Sequence, residues 1–506
     1  MESITTLYQN QVAGVLNCYD RVVLTGTLLS RCYAEGMERN LRIHKILCYD
    51  FPEQVAKPLA DKIKTHAAIT AGQAGLEIEY LGRSNIRKET LVQERLAKRG
   101  NHPGLVCILS SVEACRRFMP YHDKEKNHTG LKLKPGQCLT YYFYFIDEEL
   151  GLCFLRIPTW VPCQLLFYFN GHNYLANQMK KAGIPFKMAD NCFTEIADFE
   201  KANELSAQMN PRMVEERIRH YVAKYIPMIE GTMESSYYWS LKQLELSSDI
   251  TFKKPDRLPE IYEHLITTAM HTIKTPDVAT FLGLNIPYKN INNIGSNLKK
   301  TIEGIRLRHN MGPHSIKMYD KYNLILRIET TTEKVNSFRI PRPVYARDGS
   351  GSSVKVASVK KNIRSLDVLF KIMSAANRRY MEFISALETF SVGREKLKKA
   401  TAPVKENNRN YKGINFFDED DDMLLHAISA GEFNITGFRN QDLRYRLGKN
   451  TGQVSRIIKR LHTHGLIGRI GKTYKYYLSK NGKDIVMTGL KLKELYVIPQ
   501  LNFTVV

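Results

Sequence analysis

The chain has 506 residues, of which 43% are hydrophobic and 25% are charged. This length exceeds one ordinary hydrophobic core and the composition is that of a folded protein, which excludes a small disulfide-stapled module and a disordered chain. The 74 Lys and Arg residues outnumber the 51 Asp and Glu residues, giving a net charge of +23 that favours a polyanionic partner, most often nucleic acid.

The sequence gives no sign of a membrane partner or of secretion. Its most apolar stretch, 151–169, is interrupted by Arg156, Pro158 and Pro162, so it lacks the ~20 unbroken apolar residues of a membrane span. The start, MESITTLYQNQ, has no basic segment followed by an apolar run. All nine cysteines lie within the first 192 residues and none forms a CxxC pair. We therefore expect a cytoplasmic, nucleoid-associated protein with reduced, mostly buried thiols.

Residues 1–198 predict an α/β domain with an aromatic-rich sheet. Runs rich in β-branched and aromatic residues predict strands, and longer amphipathic runs predict helices. The strands are expected at 21–25, 105–109, 138–146, 152–157 and 164–169, and the helices at 52–66 and 173–182. The aromatic run 141–145 is interpreted as core, with a stacking platform for bases as the alternative. Four polar residues stand in apolar surroundings in this domain: Asp20, Arg21, Asn170 and His172.

The remaining segments before the carboxyl end differ in pattern. Residues 199–298 predict a helical domain, because MVEERIRHYVAKYI and LPEIYEHLITTAM have a helical period. Residues 299–398 predict a basic domain with a small antiparallel sheet and a helix from about Ser365 to Thr389. Residues 399–415, which contain KENNRN, have the composition of a linker. The fold class is thus multidomain, α/β and α+β, with a helical middle.

Residues 416–506 predict a winged helix-turn-helix domain. The acidic run 418–422 precedes MLLHAISAG and fits a helix amino terminus. A short helix from Asn440 leads through a Gly-rich turn to a second helix, whose residues Val454, Ile457, Ile458 and Leu461 recur with helical spacing. Two β-prone runs after Gly465 then predict a hairpin.

The segment GQVSRIIKRLHTHGLIGRIGKTYKYYLSKNGKDIV resembles bacterial winged-helix regulators of the MarR type, which implies a DNA-binding fold. From Arg439 to Lys493, 14 Lys and Arg residues stand against two acidic ones. We expect the side chains opposite the apolar stripe and those of the hairpin to contact duplex DNA. The expected DNA-binding residues are Gln453, Ser455, Arg456, Lys459, Arg460, Arg469, Lys472 and Lys475.

A second group of candidate residues lies in 305–345, where three strands follow one another. Alternation along these strands places phosphate-binding candidates on one face, namely Arg306, Arg308, Lys317 and Arg327. Tyr319 and Glu329 share that face, and Glu329 together with Asp320 or His314 is a candidate set for Mg²⁺ or Mn²⁺. The alternative is a basic sheet with cross-strand ion pairs such as Lys317 with Glu329. No conventional zinc-ligand spacing is present, so the sequence names no further metal ligand.

The pattern IKMYDK followed by LRIE resembles a strand pair of rolling-circle replication initiators. The resemblance implies a nicking endonuclease in which Tyr319 attacks a DNA phosphate beside a metal ion. The paired histidines of that family are absent, and His309 and His314 stand nearest to their place. The whole chain also resembles a group of bacterial proteins of similar length that share YDRVVLTGTL, CLTYYFYFIDEELGL, FNGHNYLA and SIKMYDK.

Three functions remain open from the sequence. The favoured one is a DNA or RNA processing factor, linked to a mobile element, that recognises duplex DNA through its winged helix. The others are a MarR-like transcriptional regulator with a large sensing or oligomerisation region, and a non-catalytic RNA-binding component of a ribonucleoprotein. The basic excess outside the terminal segment favours extended contact with nucleic acid over a small-molecule sensor.

Overall fold

A computed structural model describes residues 4–82, 87–125, 127–273, 275–284, 294–301, 304–346, 351–388, 391–430, 432–433, 437–471, 473–498 and 501. The fold is mixed α/β, as the sequence predicts. The chain divides into two compact units, Met1–Ser385 and Ala386–Val506. The first unit therefore joins segments that the sequence analysis separates at residues 198 and 298.

An 11-stranded sheet forms the centre of the amino-terminal unit. The strands of this unit are β1 (Val12–Leu28), β2 (Ile78–Tyr80), β3 (Gly104–Asp123), β4 (His128–Asp147), β5 (Gly151–Pro158), β6 (Leu165–Phe169), β7 (Phe186–Ala189), β8 (Cys192–Ile196), β9 (Tyr237–Phe252), β10 (Ile294–Thr301), β11 (Gly304–Met311), β12 (His314–Lys321), β13 (Ile325–Thr332), β14 (Arg339–Tyr345) and β15 (Ser352–Ser358). Across the large sheet the order is β10-β11-β12-β13-β9-β1-β6-β5-β4-β3-β2. Strand β2 runs parallel to β3, and the other neighbouring pairs are antiparallel.

Strand β9 explains why the first unit is continuous. It pairs with β1 on one side and with β13 on the other, so it joins the predicted first sheet to the predicted small sheet. The sequence analysis places this segment in a helical domain, and that expectation is wrong for Tyr237–Phe252. Leu244, Leu246 and Ile250 alternate with polar residues along it, which is the period of a strand with one apolar face.

Helices cover both faces of the sheet. In chain order they are α1 (Ile4–Leu7), α2 (Ala34–Ile43), α3 (Lys57–Gln73), α4 (Lys88–Arg99), α5 (Gly171–Lys181), α6 (Phe199–Ala207), α7 (Pro211–Tyr225), α8 (Pro227–Met233), α9 (Leu258–Thr272), α10 (Thr275–Leu282) and α11 (Leu366–Glu388). The strands predicted at 21–25, 105–109, 138–146, 152–157 and 164–169 are confirmed within β1, β3, β4, β5 and β6. The three strands expected after residue 304 are confirmed as β11, β12 and β13.

The apolar core divides between the two faces. On one face, residues of β4 and β6 pack with α3 and α7, and residues of β12 and β13 pack with α9 and α11. On the other face, Leu16 and Cys18 of β1 pack with α5, α6 and the β7–β8 hairpin, while α4 covers the far end. The aromatic run splits accordingly: Tyr141, Phe143 and Phe145 belong to the first core. Tyr144 is buried in the cluster under α4 and Tyr142 packs against it, so the expected core role of this run is confirmed.

The carboxyl-terminal unit consists of short helices and hairpins. Its elements are α12 (Ser391–Thr401), β16 (Val404–Glu406), β17 (Arg409–Tyr411), α13 (Glu419–Ile428), α14 (Asn440–Leu447), α15 (Thr451–Thr463), β18 (Ile467–Arg469), β19 (Tyr476–Leu478) and α16 (Lys480–Leu492). Residues 399–415 are not a linker throughout, because β16 and β17 pair as a hairpin. Asn407 and Asn408 both have positive φ at its turn, a conformation that Asn tolerates better than most residues.

One compact core holds this unit together. Leu425 of α13, Leu443 of α14, and Val454 and Leu461 of α15 are fully buried in it. Asp418 caps α13 by accepting a hydrogen bond from the backbone N–H of Asp421, as the acidic run predicts. The apolar spacing of the sequence therefore marks the packed faces of these helices.

All nine cysteines are free thiols, and six of them are buried. This confirms the expectation that the thiols are mostly buried. None of the described helices has both the length and the apolar character that crossing a membrane requires.

Candidate functional site

Two sets of sequence-predicted residues lie in different units, and the first is on the large sheet. The register of β11, β12 and β13 aligns Arg308 with Lys317 and Lys317 with Glu329. The adjacent row aligns Arg306 with Tyr319 and Tyr319 with Arg327. Because cross-strand partners share a face, the six residues predicted to lie together do so.

Asp320 and His314 lie on the opposite face of this sheet. Asp320 pairs in register with Leu326, and its burial raises the pKa of its carboxyl to about 6. His314 contacts the ring of Phe338 at 5.4 Å between centroids, and burial lowers the pKa of its imidazole to about 4. Each is an odd number of residues from Tyr319, so alternation turns it away. The predicted metal pairing of Glu329 with Asp320 or His314 is therefore wrong.

Glu329 instead meets two acids from other strands, Asp20 of β1 and Glu245 of β9. One carboxylate oxygen from each of these three residues lies within 4.8 Å of the other two. A register irregularity between Tyr19 and Arg21 inserts Asp20 into β1 as an extra residue and brings it onto this face. We call Asp20, Glu245 and Glu329 the carboxylate cluster.

Basic side chains compensate the carboxylate cluster. Lys317 Nζ lies 2.5 Å from Glu329 Oε1 and 3.4 Å from Glu245 Oε1. The Lys317–Glu329 pair that the sequence offers as the alternative to catalysis is thus present. Arg21 Nε approaches Glu245 Oε2 at 3.5 Å. Burial, together with the charge of Glu329, nevertheless raises the pKa of Glu245 above its usual value.

Tyr319 has its hydroxyl directed at the carboxylate cluster. The hydroxyl donates a hydrogen bond to Glu329 Oε2 at 2.6 Å, and the Glu329 side chain is only 2% exposed. Burial and the neighbouring negative charge of Glu329 raise the pKa of Tyr319 well above its usual value. A raised pKa opposes the ionisation that makes a tyrosine nucleophilic. This environment favours a structural hydrogen bond for Tyr319 over attack on a phosphate.

Arg327, expected to bind phosphate, is instead fully buried in a polar network. Its Nε and Nη2 donate to the two carboxylate oxygens of Asp249 at 2.7 and 2.6 Å. Nη2 also donates to the backbone carbonyl of Asn191 at 2.8 Å, and Nη1 lies 3.4 Å from Asp20 Oδ1. With a side-chain exposure of 0%, Arg327 is not available to a phosphate.

His172 extends this network from the amino terminus of α5. It is fully buried, and its Nδ1 lies 3.3 Å from Asp20 Oδ1. Asn170 caps α5 by accepting from the His172 backbone N–H at 2.7 Å. Burial alone would raise the pKa of Asp20, but the hydrogen bond of His172 and the charge of Arg327 outweigh it and hold that pKa below its usual value. Three of the four polar residues singled out in the sequence, Asp20, Asn170 and His172, thus belong to one buried network.

Arg306 and Arg308 of β11 remain as phosphate-binding candidates. Both are partly exposed, and their Nε atoms have no hydrogen-bond partner in the part of the chain that the structure describes. Sequence analysis missed Glu245 and Asp249, because β9 was assigned to a helical domain. The alternation of Glu245, Ser247 and Asp249 with apolar and small residues is the signal that identifies β9 as a strand.

The second predicted set lies on α15 of the carboxyl-terminal unit. Gln453, Ser455, Arg456 and Lys459 are exposed on the side opposite the buried stripe. We call these four residues the polar face of α15. Asn450 and Gln453 form a reciprocal capping box, which fixes the beginning of the helix. Lys459 also pairs with Glu406 of β16 at 2.9 Å.

Arg460 does not belong to the polar face, and its predicted DNA contact is a correction. Its Nη1 and Nη2 donate to Asp421 Oδ1 and Oδ2 at 2.7 and 2.6 Å, and its side chain is 11% exposed. It also donates to the backbone carbonyls of Lys412 and Gly413. The helical spacing turns Arg460 toward α13, where it holds the helices together.

A groove lies beside the polar face, between the β16–β17 hairpin and α15. It encloses about 670 Å³ and is lined in part by Arg409, Lys412, Arg456 and Lys459. On the β18–β19 hairpin, the exposed Arg469 stacks over the ring of Tyr474 at 5.1 Å, and Lys475 is partly exposed. Lys472, also expected to contact DNA, lies outside the described residues.

The sequence matches no known protein-family model and no curated protein. We therefore infer the function from the geometry of the two sets of residues.

Proposed function

We propose that the carboxyl-terminal unit binds duplex DNA as a winged helix. The order of α13, α14, α15, the β18–β19 hairpin and α16 is that of such a domain. An isolated bridge between Phe438 and Tyr476 adds a third short strand position to the hairpin, which is where a winged helix has its first strand. The resemblance of this segment to MarR-type regulators supports the same interpretation.

The polar face of α15 is the observation that carries this proposal. Four polar or basic side chains point outward from a helix whose other side is packed, and the amino-terminal turn of the helix begins this face. A helix fits the major groove of duplex DNA, where its first turns contact base edges. Arg456 carries the guanidinium donors that bind guanine, and the Gln453 amide, whose oxygen accepts from the Asn450 backbone N–H in the capping box, keeps its NH2 group for a base contact.

The surrounding surface supplies positions for phosphate contacts. Arg409 and Lys412 line the groove beside α15, and Arg469 and Lys475 stand on the β18–β19 hairpin. The exposed Tyr474, stacked by Arg469, keeps the guanidinium at the hairpin tip. Because these basic side chains would form ionic contacts with DNA phosphates, we expect the affinity for DNA to fall steeply as the salt concentration rises. A location with the nucleoid follows from this proposal.

Fluorescence anisotropy of a labelled duplex with the full chain tests the proposal. Arg456→Ala is expected to weaken binding about tenfold, equivalent to ~1.4 kcal/mol. Arg219→Ala is the matched control, because Arg219 is an exposed helical arginine whose side chain is 71% exposed. Equal affinities of the two variants would contradict the proposal. Tighter binding of single-stranded RNA than of any duplex would favour the ribonucleoprotein alternative.

A second proposal is that the carboxylate cluster binds Mg²⁺ or Mn²⁺ and cleaves nucleic acid. The support is the convergence of three hard oxygen ligands beside the arginines of β11. Burial, and after it the charge of Glu329, raises the pKa of Glu245, and a cation bound among the three carboxylates would offset their repulsion. A processing role linked to a mobile element depends on this second proposal.

Titration of Mn²⁺ followed by electron paramagnetic resonance tests the cation. Asp20→Asn is expected to abolish a site that Glu113→Gln retains, since Glu113 lies in a separate ion-pair group with Lys88 and Arg156. Products on a denaturing gel then show whether the bound cation supports cleavage. Full Mn²⁺ binding by Asp20→Asn, or none by the wild type, would leave the cluster compensated by Lys317, Arg21 and Arg327 and would favour the transcriptional regulator.

A further inference from the structure

The strands β14 and β15 form a two-stranded hairpin, which we call the ribbon. They pair in antiparallel register from Arg339 with Ser358 to Tyr345 with Ser352. Neither strand pairs with another strand in the described part of the chain. Exposed positions occur along both strands and on both faces. The ribbon is therefore an arm with one fully exposed face, which carries Arg339 and Tyr345, and one partly exposed face, which carries Arg342 and Lys355.

The base of the ribbon is fixed to the core of the amino-terminal unit. Phe338 and Val359, which flank the two strands, are 2% exposed and belong to the main apolar cluster. The Val359 backbone N–H donates to the Phe338 carbonyl at 2.9 Å, continuing the pairing into the core. Just beyond, the Leu241 backbone N–H donates to the Lys361 carbonyl. The direction of the arm is thus set by packed residues.

Apolar side chains are exposed along the arm. Tyr345 is 74% exposed, Val354 is 71% exposed and Val356 is 60% exposed. A two-stranded ribbon is marginally stable in water, and the exposure of β-branched and aromatic side chains on it to water is a further unfavourable contribution to its free energy. Such an arrangement is favourable when a partner covers it.

The charge of the segment identifies the chemistry of that partner. Between residues 334 and 366 the sequence has eight Lys and Arg residues and one acidic residue, Asp348. Arg339 and Arg342 reach across the ribbon, donating to the carbonyls of Val356 and Ser358, each at 2.9 Å. These hydrogen bonds hold the two guanidinium groups along the arm, and each guanidinium keeps further N–H donors for a partner. The partner is expected to be a polyanion.

Two prolines hinder the addition of a protein strand at the outer edge of β14. Pro341 and Pro343 are alternate residues of β14, and the residue between them, Arg342, pairs with Lys355. Proline has no backbone N–H, so the outer edge of β14 lacks two of the donors that an added strand would need. This edge is blocked for strand addition, while the face that carries Tyr345, Val354 and Val356 remains exposed.

We propose that the ribbon inserts into a groove of duplex DNA, as a second contact separate from α15. A two-stranded ribbon fits the major groove, which is about 12 Å wide. Tyr345 and Val354, on the same face as Arg339, would contact sugars and base edges, and Arg342 and Lys355, on the opposite face, would reach phosphates at the rim of the groove. Because the ribbon belongs to the amino-terminal unit, this proposal does not depend on the polar face of α15.

Photo-crosslinking in the full chain tests the contact. Tyr345→p-benzoylphenylalanine is expected to crosslink to a labelled duplex, and to do so also when combined with Arg456→Ala at saturating protein. Tyr49→p-benzoylphenylalanine is the control, since Tyr49 is 76% exposed elsewhere in the same unit. A yield no higher than that of Tyr49 would overturn the proposal, as would crosslinking of Tyr345 to a second copy of the chain.

Charge reversal gives an independent measurement. Combining Arg339→Glu, Arg342→Glu and Lys355→Glu is expected to weaken duplex binding at least tenfold and to lower the slope of log affinity against log salt by about 0.9 for each phosphate that the ribbon no longer binds. The matched control reverses Lys201, Arg219 and Arg378, three helical side chains that are at least half exposed. Equal weakening in both triple variants would overturn the ribbon contact. Weaker binding with Arg456→Ala but not with the ribbon variant would overturn it while leaving the α15 proposal intact.

Discussion

Arg460 of α15 and Asp421 of α13 form a two-pronged ion pair with N–O distances of 2.7 and 2.6 Å. Two arginines one helical turn apart therefore have different environments. The Arg460 side chain is 11% exposed, whereas Arg456 faces solvent. Arg460 holds the carboxyl-terminal unit together, and Arg456 is the exposed arginine to which the proposed function assigns a DNA contact. Substitutions at these two positions should therefore have different effects.

Arg460→Ala is expected to destabilise the carboxyl-terminal unit by about 3 kcal/mol, because it leaves the buried Asp421 carboxylate without its partner. Hydrogen exchange of the α13 and α15 amides in the full chain measures this change. Arg456→Ala should leave the same amides as protected as in the wild type. Equal protection in both variants would show that the ion pair contributes nothing to stability.

Removal of Arg327 is expected to destabilise the amino-terminal unit. Arg327→Met leaves Asp249, which is 1% exposed, as an uncompensated buried charge and should cost about 3–5 kcal/mol. Both tryptophans, Trp160 and Trp239, lie in this unit, so their fluorescence during urea unfolding reports its stability. The double variant Arg327→Met with Asp249→Leu should recover part of the loss. No loss in the single variant would contradict the buried network.

Acid is expected to destabilise the amino-terminal unit partly through His309. Burial lowers the pKa of His309 from 6.5 to about 4, and its Nε2 lies 3.1 Å from the Tyr380 hydroxyl. Between those two pKa values the unfolded chain binds a proton that the folded chain does not, so stability falls as the pH drops through this window. From pH 7 to pH 5 the loss should be on the order of 2 kcal/mol for this residue.

Urea unfolding of the wild type and His309→Gln at the two pH values isolates the contribution of His309. The variant should lose less stability between pH 7 and pH 5 than the wild type. Asp320, whose pKa is raised to about 6, contributes in the opposite direction, and its contribution is common to both proteins. Identical pH dependence of the two proteins would contradict a neutral buried His309.

Tyr319→Phe distinguishes a structural hydrogen bond from nucleophilic catalysis. Loss of the hydroxyl removes the donor to Glu329 Oε2 and should cost about 1–2 kcal/mol of stability, read from tryptophan fluorescence. Because Tyr319 is directed at Glu329, any metal-dependent cleavage is expected to persist in this variant and to leave no strand linked to the protein. A protein-linked strand in the wild type that Tyr319→Phe abolishes would contradict this prediction.

The sequence predicts much of the sheet because the alternation of side chains between the two faces of a strand depends only on residues that are neighbours in the chain. The rows from Arg308 to Glu329 and from Arg306 to Arg327 follow from strands whose hairpins are short, so neighbours in the chain are neighbours in space. The partners of Glu329 come from distant segments: Asp20 lies in β1 and Glu245 in β9. Pairing of strands far apart in the chain leaves no local pattern, and neither partner could be assigned from spacing alone.

The same distinction holds in the carboxyl-terminal unit. The helical period identifies Val454 and Leu461 as buried and Arg456 as exposed, and the structure agrees. It does not identify the partner of Arg460, because Asp421 lies 39 residues earlier in the chain. For the β16–β17 hairpin, the adjacent Asn407 and Asn408 are a local turn signal that the linker interpretation passed over.

The most direct test of DNA recognition by α15 is a selection of duplexes from a randomised library by the full wild-type chain and by Arg456→Ala. The wild type should enrich a motif, and Arg456→Ala should relax the preference at one position while leaving the rest of the motif unchanged. Identical motifs for the two proteins, or the absence of any motif for the wild type, would contradict base recognition by the polar face of α15.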